Sequence, residues 1–439
     1  MLSLETSIQQ LVKVELPTCG INDLVSGLPE LGRALALQTG AQLIDQLQAL
    51  EFAAVKAGKA EIVCEQCGVV HSGDGSLLRR GSRARRLKTS SGVLIFALRQ
   101  FTCRECRRTW CPFADRLGLK SRQRVCEELE RKLVEWVTEL SYAKTCRVGG
   151  EWLGATLSPK TLHRCVQQRG SEVRFTPAPQ CSVALADGTK VPAGTEKRGC
   201  EIRFCLQILG RDQQHGRARV CKRIAGWSVG AGDWDRAIPA GVATDAVVTD
   251  REPGLAEAVH RQNPDVFQGM CEWHLGHTLN HLLVMDRMKV QERKQRVAEL
   301  GRIVWGPEEK RAAAYRAFCN ALQHCPQAHA MLRNVATYVL SERRPSERTT
   351  SVIEREMREI NRRTDVGARW SEPGVDRLLR LRHSKRINPD DFERGLVVSP
   401  EARFSTGASE LMSTKGIAIK NFDHSAYSEA AATRRRARR

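Results

Sequence analysis

The sequence predicts a multidomain α/β protein: an α/β core interrupted by a helical insertion, preceded by a cysteine-knuckle module and a small helical domain. Three observations carry this expectation. At 439 residues with 41% apolar content, the chain is too long for one ordinary core and apolar enough to fill several. Two Cys-x-x-Cys pairs bracket a strand-like stretch between Cys64 and Cys106. Beyond residue 180 the hydrophobic period changes from helical to two, and then back to helical.

Residues 1–58 read as a helical lead-in, because Leu43, Ile44, Leu47 and Leu50 recur at helical spacing with Ala53 and Ala54 following. Residues 59–117 read as a zinc ribbon. Cys64 and Cys67 in "CEQCGVVHSGDG", and Cys103 and Cys106 in "FTCRECRRTWC", each set two thiolates on a tight turn. Two such knuckles supply the tetrahedral four-cysteine shell of a structural Zn²⁺, with Cys111 left over. The spacer, with its run "GVLIFAL", suits β-hairpins joining the knuckles. Two unrelated pairs of buried thiols are the ordinary alternative. A redox pair is disfavoured, since neither opens a helix in a βαβ pattern.

Residues 118–173 read as a helical DNA-binding domain. "RVCEELERKLVEWVTEL" spaces Leu129, Leu133, Trp136, Val137 and Leu140 along one face. Further on, Ser158 is a natural N-cap, Pro159 the first helical position, and Gly170 the end of a short helix. A helix, a Gly-containing turn and a capped helix carrying Lys160, Thr161, His163 and Arg164 resemble a helix-turn-helix, a pattern that small bundles share.

After the linker "RFTPAPQ", residues 178–275 alternate with period two. "CSVALADGTKVP", "CEIRFCLQILG", "RARVCKRIAGWSVG" and "DAVVTD" read as strands, "GLAEAVHRQ" as a helix and "VFQGMCEW" as a further strand. Three meander-like strands, then a strand, a helix and a strand, is the order of an RNase H-like core. Residues 276–345 read as a helical insertion. Residues 346–400 return to the core through "TTSVIEREMREINRR" and "WSEPGVDRLLRLRHSKR". Residues 401–439 form a basic tail ending in "RRRARR", which touches nucleic acid or is simply solvated.

The net charge of +20 makes a polyanion the expected partner. The charge is concentrated: Ser76 to Arg124 holds 14 Lys or Arg against 2 Asp or Glu. Such a stretch, with Arg83, Arg85 and Arg86 at its centre, is the expected footprint on a phosphate backbone. No run of about 18 apolar residues suggests a membrane span. The N-terminus lacks the basic end and apolar run of a signal peptide. The expectation is therefore an intracellular, cytoplasmic protein with no membrane partner, in which the 16 cysteines are metal ligands and buried thiols.

Two acids stand where strands should end. Asp187 closes the apolar part of "VALADGTKVP", and Asp250 in "AVVTDREPGL" precedes a helix; strand ends are where α/β sheets gather ligands. Each has an ordinary reading as well: Asp-Gly makes hairpin turns, and Asp before Pro-Gly caps a turn or helix. In "TTSVIEREM", Glu354 and Glu356 compete for a third place. At about 100° per residue they point roughly 200° apart, so one site can use only one of them. Val352 and Ile353 precede Glu354, which places it near the core-facing side and Glu356 among the solvated charges.

Taken in order, "ADGTKVP", "VTDREPGL", "CEWH" and "TTSVIEREMREINRR" with "RWSEPG" resemble the DDE core of the Mutator-like transposases and their bacterial insertion-sequence relatives. The second knuckle with "RTWCPFADRLGLK" resembles a bacterial branch whose zinc-binding region precedes a helix-turn-helix. The likeness spans roughly residues 60–385, and its specificity lies in four motifs in order, since "ADG" and "TD" alone are common. It implies an RNase H-like core with a helical insertion before the glutamate. Asp187, Asp250 and Glu354 would be the first, second and third catalytic acids, holding Mg²⁺ or Mn²⁺. It implies cleavage at an element end by water, attack of the freed 3′-hydroxyl on target DNA, and a dimer or larger assembly on double-stranded DNA. Such a protein would act on the nucleoid of a bacterium. Two rival readings remain: a structure-specific nuclease on the same core, and a non-catalytic DNA-binding regulator built on the ribbon and helix-turn-helix.

"GMCEWHLGHTLNHLL" sets Cys271, His274, His277 and His281 beside one another. A Cys-His-His metal set is geometrically open at this spacing. A nucleophilic thiol lacks the strand-turn-helix context and an orienting Asn or Asp. The resemblance implies a brace between strand end and helix start beside the acids, with His274 placed to touch DNA or the metal site. Trp305 and Trp370 could stack on a displaced base, though core positions are the ordinary reading.

Overall fold

The computed structural model describes residues 21–396 apart from 74, 76, 121, 198, 215, 231–233, 242–243, 251 and 368. The basic tail expected over 401–439 and the first 20 residues of the lead-in lie outside the described residues. The architecture is mixed α/β, with helices packed on three separate sheets. Among the described residues no helix is long and apolar enough to cross a membrane.

The lead-in is one helix, α1 (Ile21–Lys56), and it lies against the ribbon. The ribbon opens with β1 (Ile62–Val63) and β2 (Val70–His71), an antiparallel pair around the first knuckle. It continues into a long hairpin, β3 (Leu77–Thr89) and β4 (Gly92–Cys103), then β5 (Thr109–Trp110) and α2 (Phe113–Arg116). Because β5 is only two residues long, most of that edge of β4 is left without a strand. The buried Gln48 side chain of α1 covers it, accepting from the Arg99 N–H at 2.9 Å and donating to the Ala97 carbonyl at 2.8 Å. A helix side chain here satisfies backbone groups that would otherwise invite another strand.

Three helices follow: α3 (Glu127–Val137), α4 (Tyr142–Leu153) and α5 (Pro159–Glu172). Ser158 caps α5 as expected, its Oγ accepting from Thr161 N, and Gly154 ends α4 in a left-handed conformation at φ 64°. The buried face of α3 is Leu129, Leu133, Val134 and Val137; Trp136 is only half-buried and the helix stops before Leu140.

The main sheet is built from β6 (Cys181–Val191), β7 (Cys200–Gln214), β8 (Arg217–Val229), β9 (Thr244–Thr249) and β10 (Phe267–Met270), with α6 (Pro253–Gln262) between the last two. Its order is β10-β9-β6-β7-β8. β6, β7 and β8 run antiparallel, β9 pairs parallel with β6, and β10 parallel with β9. Side chains alternate across it. Ala184, Ala186 and Val247 pack with Leu255, Ala258 and Val259 of α6 on one face. Val183, Leu185 and Val248 pack on the other, against Ile353, Met357 and Ile360.

After β10 the chain forms α7 (Glu272–Met285), α8 (Val290–Trp305), α9 (Glu308–Ala321) and α10 (Pro326–Val339) around their own apolar cluster. It returns through α11 (Ser351–Thr364), α12 (Glu372–Ile387) and α13 (Pro389–Leu396). The first insertion helix begins directly after β10, four residues ahead of the expected boundary at 276. The helical module and the returning helices share one core, in which Leu162 and Val166 meet Leu378, Leu381, Phe392 and Leu396. Gly170 makes this crossing possible: a Cβ there would stand 2.4 Å from the Arg377 carbonyl oxygen of α12.

Candidate active site

The parallel ladder between β6 and β9 ends at Leu185 and Val248, and two residues beyond it stand Asp187, still within β6, and Asp250, just past the end of β9. By alternation Asp187 shares the face of Val183 and Leu185, and Asp250 that of Ala246 and Val248; this is the face covered by α11. Glu354 lies in the first turn of that helix. The acids act on one another. Burial, joined by the charges of Asp250 and Glu354, pushes the Asp187 carboxyl up to about 7, against the opposing pull of the Gly188 N–H and His274. Glu252 adds to the acidic patch, its own carboxyl raised by burial and by Glu201 and Asp250.

Neighbouring cations are engaged elsewhere: Lys222 with Glu356 at 2.6 Å, Arg203 with Glu201 at 2.5 Å, and Arg348 with Glu272 at 2.8 Å. Among the described residues no Lys or Arg pairs with Asp187, Asp250 or Glu354. Carboxylate oxygens are donors suited to a hard divalent cation, but among the described residues Asp187, Asp250 and Glu354 do not themselves draw within 4.8 Å of one another, and His274 stands beside them. The hairpin-turn reading of Asp187-Gly188 fails, because β6 runs on to Val191 and Gly188 pairs with Arg203 within the ladder. Asp250 does hold a turn, accepting from Glu252 N at 3.0 Å ahead of α6.

The two glutamates of α11 are distributed differently from expectation. Glu356 is not a solvated charge: it is 2% exposed, with Lys222 at 2.6 Å and Arg386 at 3.5 Å. Ile353, Met357, Ile360 and Thr364 form the buried stripe of α11, and Glu356 lies within it, one turn from Ile353 and from Ile360. Glu354 is half-buried at the flank of that stripe, on the side of Asp187. Local spacing does not point to Lys222, which reaches Glu356 from β8.

Beside the acids, Cys271 caps α7, and its backbone N–H donates to the Thr249 carbonyl at 2.7 Å. The buried sulfur accepts from Thr350 N at 3.3 Å and Thr350 Oγ1 at 3.2 Å. That hydroxyl also stands 3.0 Å from Glu354 Oε1 and 3.4 Å from His274 Nδ1. Burial pushes the Cys271 thiol up, but hydrogen bonds from His274 and Thr350 outweigh it and leave it below its usual value. The Cys271 sulfur, helped by the charges of Asp187 and Asp250, raises His274. Cys271 thus links the end of β9 to the starts of α7 and α11, and Thr350, the N-cap of α11 that bonds Cys271 and Glu354, is the residue sequence reasoning missed. A Thr directly before a helix carrying the acid was the available signal. His277 and His281 do not join: both are exposed, and the His277 ring packs on Trp273 at 4.3 Å.

The four ribbon cysteines converge as their spacing predicts. Sγ atoms of Cys64 and Cys106 are 3.6 Å apart, as are those of Cys67 and Cys103, and all four lie within 4.8 Å of one another. A tetrahedral ion with Zn–S near 2.3 Å needs sulfurs about 3.8 Å apart, so the set could hold a structural Zn²⁺. The two knuckles turn alike, with Gly68 N–H donating to Cys64 O at 2.9 Å and Arg107 N–H to Cys103 O at 3.0 Å. The residue after each sharp turn has positive φ, 69° at Gly68 and 62° at Arg107.

Of the expected DNA contacts, Lys160, His163 and Arg164 are exposed on α5. Thr161 is committed to its own cap, its hydroxyl 2.9 Å from Ser158 Oγ. Arg83 and Arg86 are exposed on β3, and Arg85 donates to the Gln123 carbonyl at 3.2 Å. These arginines line an open cleft of about 640 Å³ together with Lys88, Arg122 and Arg124. Trp305 is not a core residue: it is 62% exposed, with the Arg348 guanidinium 3.9 Å from its ring centre. Trp370 is structural, its indole N–H donating to Thr364 O at 3.0 Å.

No protein-family model matches the chain, and no curated protein matches it.

Proposed function

We propose that the protein is a DDE-type DNA transposase of an insertion sequence, with Asp187, Asp250 and Glu354 as its catalytic acids on an RNase H-like core. The observation that carries this reading is the mutual electrostatic influence of those three carboxylates, none paired with a Lys or Arg among the described residues, beside the end of the β6–β9 ladder and the first turn of α11. The strand order supports the RNase H-like reading, and the helices inserted between Asp250 and Glu354 agree with it.

Mg²⁺ or Mn²⁺ held by these oxygens would supply activation of the attacking oxygen and neutralisation of charge at phosphorus. The chain's own residues do the rest. Asp187 is held within β6, and Asp250 in the turn directly after β9, where it accepts from Glu252 N. Thr350 holds the Glu354 carboxylate by a 3.0 Å hydrogen bond. His274, raised towards its cationic form beside the acids, can donate to a phosphate oxygen. The basic cleft of the ribbon and the exposed face of α5 would grip and read the element ends, and two ends brought together require a dimer or larger assembly.

The test is an assay of cutting and joining on DNA bearing the inverted repeats that flank the coding region. Cutting without joining would favour a structure-specific nuclease, and binding without cutting a regulator.

A further inference from the structure

We propose that Cys271, His274 and Glu354 form a second metal site, which takes a borderline-soft divalent cation such as Zn²⁺ and shares Glu354 with the acid cluster. One ligand atom from each, a thiol sulfur, an imidazole nitrogen and a carboxylate oxygen, lie within 4.8 Å of one another. Secondary structure imposes the grouping. Cys271 is the N-cap of α7, so His274 one turn later rises on the same side. Glu354 sits in the first turn of α11, whose N-cap Thr350 is bonded to Cys271 through both its backbone N–H and its hydroxyl.

The Thr350 hydroxyl stands within 3.0–3.4 Å of all three groups. It has a single proton to donate. Cys271 Sγ and Glu354 Oε1 therefore compete for one donor, and a cation at the centre of the three groups would satisfy both. Thiolate, imidazole and carboxylate are the ligand types of zinc, whereas Asp187 and Asp250 offer oxygen alone, the preference of Mg²⁺. The two clusters thus select different metals although they touch through Glu354. Three protein ligands also leave a fourth position open, as zinc sites that bind water or an anion do. On the phosphoryl-transfer reading above, Zn²⁺ here engages the third acid and inhibits Mg²⁺-dependent cleavage.

The full chain is dialysed against a Zn²⁺ buffer and its bound metal counted by elemental analysis, with folding followed by thermal melting. Wild-type chain should bind two Zn²⁺, one in the ribbon and one here. Cys271→Ser and His274→Ala should each bind one at the same free Zn²⁺, a loss of at least about tenfold in affinity for the second ion. His274→Ala decides the matter if the buried Cys271→Ser fails to fold. Asp187→Asn disables the acid cluster without removing a ligand of this site and should still bind two, so the metal count stands apart from whether the acids cut DNA. One Zn²⁺ in the wild-type chain, or two in a folded Cys271→Ser or His274→Ala, overturns the site.

Discussion

At Asp187 charge and environment are opposed. Its folded-state pKa of about 7 lies above the ordinary 3.8, so between those values the native chain holds more protons than the unfolded one. Its contribution to stability is full below about pH 4 and is lost as pH rises through about 7. In Mg²⁺-free buffer, Asp187→Asn should therefore raise stability at about pH 8 by roughly 1–2 kcal/mol after solvent screening, with no gain near pH 4. Thermal melts across pH measure this; an equal gain at both ends would contradict it. The glutamates of α11 make a second comparison. Glu356→Ala strands Lys222 beside a buried gap and should cost on the order of 3 kcal/mol, while Glu354→Gln should stay within about 1 kcal/mol. Urea unfolding of both variants decides it, and equal losses would contradict the division of roles. At this scale Asp250 and Glu354 do lie at a strand end and a helix start that periodicity can find, whereas Asp187, expected at a strand end, lies inside β6, which runs four residues past it to Val191. Glu356 was misread because its partner is distant in sequence, and spacing along one helix says nothing about a lysine on β8.

At the scale of elements, the strands β6 to β10 and the helices of the insertion follow from period two and period 3.6. The knuckles follow from Cys-x-x-Cys. What spacing could not show is how elements cover one another. Gln48 seals the edge of β4, and α5 is buried against α12 although more than 200 residues separate them. Both depend on contacts between segments far apart in the chain, which local pattern does not encode. The ribbon gives the element-scale prediction. Phe101, Phe113 and Trp110 pack around the buried Cys64 and Cys103, so the metal shell and the small core form one unit. Cys103→Ser should lose the ribbon's Zn²⁺ and its lowest-temperature melting transition should move down, while the Asp187 region keeps its fold. Metal analysis with hydrogen exchange reads both; retention of full zinc in that variant would contradict the four-cysteine shell.

Across the whole molecule, the acidic cluster and the basic cleft are on different elements, and the proposed function needs both. If Arg83 and Arg86 meet phosphates, Arg83→Ala with Arg86→Ala should weaken DNA binding about equally for all sequences and reduce the salt slope by about 2. A sequence-dependent loss with an unchanged slope would place them elsewhere. The central claim is that three carboxylates perform metal-dependent phosphoryl transfer. Its most direct measurement is a single-turnover assay with Mg²⁺ on DNA carrying the flanking inverted repeats. The account predicts cutting and joining by the wild-type chain, and loss of both in Asp187→Asn, Asp250→Asn and Glu354→Gln with DNA binding retained. Cleavage that survives in all three variants would contradict it.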